Sequence, residues 1–179
     1  MSAGKKTVLR SIRISEDHDR LLEEEAKKKG ISVNSLLAIL ITKYLEWDRF
    51  SEKFGYVSIA RQGYKNLVES LSDDAIITHS KEVGSHSAPD ITRFWFGKLN
   101  VQTLFAFLEL YSKYTGLFHF ERTSHGKSHL ITFHHELGPR VNLALMTYID
   151  QVVRNIAGVA PKIEAGNNSF NVSFEEPIP

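Results

Sequence analysis

The feature that most constrains this chain is a helix with too many apolar faces. It can be capped by Ser32 or Asn34, carries Leu36, Leu37, Ile39, Leu40, Ile41, Tyr44, Leu45 and Trp47, and runs to about Phe54, with Gly55 as its stop. Those residues go nearly all the way round a helical period, so the helix must be covered on most sides. The residues before it cannot provide that cover. Ser15, with Glu16 and Asp17 behind it, opens a first helix that ends at Lys27–Lys29 and Gly30, and only Leu21, Leu22 and Ala26 lie on its buried face. Ahead of that helix, Thr7–Ser15 ends in alternation, Ile12 and Ile14 on one face, Ser11 and Arg13 on the other. This is the pattern of a short strand that needs a partner strand. One strand and two helices cannot bury so much apolar surface alone, so the pattern implies a second copy of the chain.

Charge is placed unevenly. The net charge of +1 says little, but residues 1–15 carry Lys5, Lys6, Arg10 and Arg13 and no acid, whereas residues 57–179 hold eleven basic and twelve acidic residues. The positive end is where a phosphate backbone can be met. With 42% hydrophobic and 24% charged residues, the composition is that of a globular protein. No apolar run is long enough to cross a membrane, and the polar start, Met-Ser-Ala-Gly-Lys-Lys, lacks the apolar stretch of a secretory signal, which points to the cytoplasm and the nucleoid. The sequence contains no cysteine, which excludes disulfides, thiolate metal sites and thiol catalysis.

The order strand, helix, glycine, helix, with Arg13-Ile14-Ser15 before the first helix and Gly30-Ile31-Ser32-Val33-Asn34-Ser35 between the helices, resembles the ribbon-helix-helix family of DNA-binding proteins, the Arc and methionine-repressor type. The likeness covers roughly residues 7–50. It implies that two chains exchange strands into one antiparallel ribbon that enters the major groove. It further implies base contacts from Leu9, Ser11 and Arg13, phosphate contacts from Lys5, Lys6, Arg10, Ser32, Val33 and Asn34, and a dimer core of Ile12, Ile14, Leu36, Leu37, Leu40 and Ile41. Leu9 departs from the polar residue that ribbon position calls for.

Residues 56–179 read as a second, α+β domain. Helices are expected over Ser58–Leu71, Ser72–Val83, Val101–Tyr114 and from Pro139 to Ile156, with a polar loop over Gly84–Asp90 and either a strand or a helix end over Ile91–Gly97. Two hairpins follow the same reasoning: Leu117–Arg122 with Ser128–His135, and Lys162–Ala165 with Ser169–Phe174. The fold class is therefore α+β, an N-terminal strand-exchanged ribbon-helix-helix domain over 1–55 followed by helices on a small antiparallel sheet.

The second domain would serve assembly or effector sensing. Two-domain relatives of the resembled family include a nickel-responsive repressor that uses histidines and a cysteine. Here only His119, His129 and His135 are candidate ligands, without a cysteine, so no metal and no cofactor is expected. The run His134-His135-Glu136 ahead of Pro139 and Arg140 can in principle hold an anion at a helix start. There is no glycine-rich phosphate loop, no Gly-x-Ser-x-Gly and no His-Glu-x-x-His, so no enzyme is expected. The expected function is a site-specific transcriptional regulator binding double-stranded DNA as a homodimer, with dimers able to pair into tetramers. The alternatives are the antitoxin of a toxin pair and a sequence-tolerant architectural protein.

Overall fold

The structure, a computed structural model, describes residues 8–176. The chain divides between Arg49 and Phe50 into two compact units.

In the first unit, α1 spans Glu16–Lys29 and α2 spans Val33–Lys43. Both begin on a serine that removes one orphan donor. The Ser15 hydroxyl oxygen accepts from the His18 N–H at 3.3 Å and that of Ser32 from the Ser35 N–H at 3.1 Å. Gly30 ends α1 at φ 65°, a left-handed conformation costly for any side chain. The expected second helix is not regular to its end. Tyr44–Asp48 widens into a π-helical turn, spanned by an ion pair between Lys43 and Asp48, before the short α3, Arg49–Ser51, in which the division falls. The expected strand over Thr7–Ser15 is not formed in the single chain: residues 8–15 carry no regular secondary structure, and Thr7 lies outside the described residues. Among the described residues no strand pairs with this segment, and a lone strand has no ladder to hold it.

The second unit is built around one helix. The helices α4 (Arg61–Ser70), α5 (Asp73–Glu82), α6 (Ala88–Phe96) and α7 (Val101–Thr115) precede the hairpin β1 (His119–His125) and β2 (Ser128–His134). The long α8 (Pro139–Ala157) follows, then β3 (Lys162–Ala165) and β4 (Ser169–Glu175). The four strands form one antiparallel sheet in the order β1-β2-β4-β3. This makes the second unit α+β. α8 contacts the sheet through β3 and β4 and contacts α4, α5, α6 and α7 as well, so Val141, Leu145, Ile149, Val152, Val153 and Ile156 are all buried. Period-two alternation sends Ile131, Phe133, Phe170 and Val172 into the same core. The registers set Phe133 opposite Phe170, whose rings stack at 4.7 Å.

The sequence reading fails over Gly84–Asp90. Instead of a polar loop, the chain makes a π-helical turn over Val83–Ser87 and passes directly into α6, so that Pro89 follows the widened turn inside one continuous helical run. Gly84 makes this possible. A Cβ there would lie 2.7 Å from the Tyr148 carbonyl oxygen and 2.8 Å from the Gln151 Cβ, so α8 approaches closer than any side chain allows. Ser85 then donates a hydrogen bond to the Gln151 amide oxygen at 2.9 Å. Ile91–Gly97 is correspondingly a helix ending on Gly97 at φ 74°. The first hairpin is also tighter than the expected Thr123–Lys127 loop, with only Gly126 and Lys127 between the strands.

Two glycine replacements test this packing. Gly84→Ala must push α8 away and should cost about 1–3 kcal/mol. Gly63→Ala, in α4, places its methyl at an ordinary 3.4 Å from Ile59 and should stabilise by up to about 1 kcal/mol through helix propensity. Urea unfolding of the two variants should move their midpoints in opposite directions.

Candidate functional site

Of the expected DNA-facing residues, Leu9, Ser11 and Arg13 are all exposed on the extended segment before α1, Leu9 at 90%. Arg10 is exposed too, with its guanidinium near the Leu9 carbonyl at 3.4 Å. Lys5 and Lys6 lie outside the described residues. Ser32 is the cap of α2, and Val33 and Asn34 occupy its first turn, Asn34 exposed. The residues assigned to a dimer core divide. Leu36 is buried and Leu37 half-buried, while Ile12, Ile14, Leu40 and Ile41 are 63%, 41%, 46% and 57% exposed. Leu9, Ile39, Tyr44 and Leu45 are exposed beside them in the sequence.

The histidines of the second unit are not gathered. The strand register sets His119 against His134, and their rings stack at 5.1 Å. His129 faces Ser124 near the other end of the hairpin, buried, with one ring nitrogen 2.8 Å from the Ser124 hydroxyl and the other 2.8 Å from the Glu176 carboxylate. His135 is buried beyond β2. Its Nδ1 accepts from the Leu137 N–H, which leaves Nε2 to donate to the Asn142 amide oxygen at 2.8 Å. His119, His129 and His135 therefore do not converge, and among the described residues no group of three or more potential ligands is placed to hold a metal. Of the residues considered for an anion at the start of α8, His135 and Arg140 are engaged elsewhere. Arg140 pairs with Asp73 at 2.9 Å and donates to the Leu71 carbonyl oxygen.

The sequence reading did not single out the tyrosines. Tyr56 (before α4), Tyr64 (α4), Tyr111 (α7) and Tyr148 (α8) come from separate parts of the second unit to one place. The Tyr111 hydroxyl shares hydrogen bonds with the hydroxyls of Tyr56 and Tyr148. A cavity of about 190 Å³ opens between Tyr64, Tyr111 and Tyr148, closed by His79, Ser80, Val83, Leu117, Ala144 and Leu145. A second space of about 680 Å³ adjoins it and shares His79, Val83, Tyr111 and Tyr148, with Phe54, Tyr56, Val57, Ser87, Asp90 and Ile91 on its other walls. Val83 and Ser87 are the two ends of the π-helical turn. One signal was present in the sequence: Tyr111 and Tyr148 stand where leucine would complete the apolar stripes of α7 and α8, and a buried tyrosine brings a hydroxyl that needs a partner.

Comparison with protein-family models, with curated proteins and with solved structures gives no match for this chain. Among the described residues no helix is long and apolar enough to cross a membrane.

Burial is the main cause that raises the pKa of all four phenols above the ordinary value of 10.0. In the unfolded chain they ionise near that value, while the folded protein holds their protons. The stabilisation they provide is therefore complete below pH 10 and is lost as pH rises above it. Titration by tyrosinate absorbance should show these four of the six tyrosines resisting ionisation past pH 10, then ionising together as the protein unfolds. Independent ionisation of all six near pH 10 would contradict the burial.

Proposed function

We propose that the first unit is a ribbon-helix-helix module and that the protein is a dimeric, site-specific DNA-binding regulator of transcription. One observation carries the reading. Ile12 and Ile14 on the extended segment and Leu40 and Ile41 on α2 are exposed in the single chain. Apolar surface of that extent calls for a partner. A second copy supplies one economically, because the segment that lacks a ladder in one chain gains an antiparallel partner from its twin. In that arrangement Ile12 and Ile14 turn inward onto both copies of α2.

The opposite face of the same ribbon then carries Leu9, Ser11 and Arg13 outward. Arg13 is the side chain able to form a two-pronged contact with guanine, and Leu9 offers an apolar contact for a thymine methyl. The capped start of α2 presents backbone N–H groups at Val33 and Asn34, a suitable seat for a phosphate on either side of the groove. Lys5, Lys6 and Arg10 add positive charge next to the ribbon without reading sequence. The second unit, with its own core, is left for assembly or for sensing an effector. The reading places the protein with DNA in the cytoplasm.

Sedimentation equilibrium of the full chain at micromolar concentration should give a dimer, and Leu40→Glu should give a folded monomer that no longer binds DNA. Selection from a random duplex pool should return a preferred site. Arg13→Ala should lose selectivity at particular base pairs by roughly five- to 150-fold, the equivalent of about 1–3 kcal/mol. Asn34→Ala should weaken all duplexes by a similar factor. A monomeric wild-type chain overturns the reading. So does binding that is blind to sequence and steeply salt-dependent, which belongs to an architectural protein.

A further inference from the structure

We propose that the adjoining spaces around Tyr111 and Tyr148 form one binding site for an uncharged, largely planar small molecule bearing one or two hydrogen-bonding groups. The two spaces share four wall residues, and the larger has the volume of a pocket for a small organic ligand. The walls offer aromatic rings on several sides, and ring faces favour a flat apolar body.

The polar groups specify the charge. The hydroxyls of Tyr56, Tyr64, Tyr111 and Tyr148 are kept protonated by burial, so they donate and accept hydrogen bonds without carrying charge. The Ser80 hydroxyl, on a buried residue, adds a further neutral group in the inner space. No lysine or arginine lines either space among the described residues, and the imidazole on the shared wall, His79, belongs to an exposed residue, so an anion would find no buried countercharge. The carboxylate on the wall, Asp90, is exposed at the outer rim and held by Arg93 at 3.2 Å, so it offers little to a cation. A neutral ligand is what remains.

The local backbone is shaped for the space. The π-helical turn over Val83–Ser87 gives up helical regularity, and Gly84 gives up a side chain, where that turn presses on α8 at Tyr148. Single π turns inside helices are frequent at functional sites. Here the turn contributes Val83 and Ser87 to the cavity wall. The inference concerns the second unit alone and does not rest on the DNA-binding reading, because the binding is measured on the protein without DNA.

The test uses the full chain and one ring system in three charge states: 2-naphthol, 2-naphthoate and 2-naphthylmethylammonium, with indole as a second uncharged probe. Titration calorimetry at pH 7 should show saturable binding of 2-naphthol or indole at one per chain, at least tenfold tighter than either charged naphthalene. Ring resonances of Tyr111 and Tyr148 should shift during the same titration. Tyr111→Phe, which removes the central hydroxyl, should weaken 2-naphthol about tenfold, and Ala144→Leu should abolish its binding by filling the inner space. Thr132→Ala, on the outer sheet face, should leave binding unchanged. Thermal unfolding checks that each variant is folded, and the tyrosine shifts of the unaltered chain stand even where a variant is not. Failure of both uncharged probes to bind, equal binding of the charged ones, or shifts confined to other tyrosines would overturn the proposal.

Discussion

The second unit depends on the enclosure of α8. Its residues meet the inner face of the sheet and also α4, α5, α6 and α7, so most of its faces cannot change without disturbing a neighbour. The closest of these contacts is the approach of Gly84 to the Tyr148 carbonyl, where a single methyl group would meet backbone. That contact holds the π-helical turn against α8, and with it the wall of the tyrosine cavity. The buried hydrogen bonds of Asn142 serve the other end of the helix. Its amide oxygen accepts from His135, and its amide nitrogen donates to the Gly166 carbonyl in the β3–β4 turn at 3.3 Å. Polar atoms are tolerated there because each is paired.

The first unit has the opposite physics. Its helices are well capped, yet Ala26, Leu36 and Trp47 are its only buried apolar residues among those described. Local signals alone give helices of marginal stability, and packing normally supplies the rest. A unit that leaves isoleucines and leucines exposed while it caps its helices is suited to completing its core from outside. This asymmetry is in keeping with the proposed division of labour, in which one part associates on DNA while the other folds around its own core.

Much of the secondary structure was legible because its signals are local. Ser15, Ser32, Ser72 and Asn100 each accept a backbone hydrogen bond at a helix start, and Gly30, Gly97, Gly116 and Gly158 each end a helix in the left-handed region. In the stripe Val101, Leu104, Phe105, Leu108 and Tyr111 all but the half-buried Tyr111 are buried, and in the stripe of α8, Val141, Leu145, Tyr148, Val152 and Ile156, all but the half-buried Tyr148. Gly84–Asp90 was misread because Gly, Ser and Pro favour turns locally, while close packing against α8 turns the same small residues into a helix. The histidine reading shows a similar limit. Alternation along Ser128–His135 separates His129 and His135 from His134, but only the pairing register reveals that His119 stacks on His134 and that His129 faces Ser124.

By itself the sequence determined the capped starts and glycine stops of most helices, the two hairpins, the burial periodicity and the excess of apolar residues in α2, since each is set by neighbours within a few positions. Only the tertiary structure decided that four tyrosines from distant parts of the chain share one cavity, and that a glycine- and serine-rich stretch becomes helical. Both depend on how closely backbones far apart in sequence can approach, and residue spacing along the chain carries no measure of that distance.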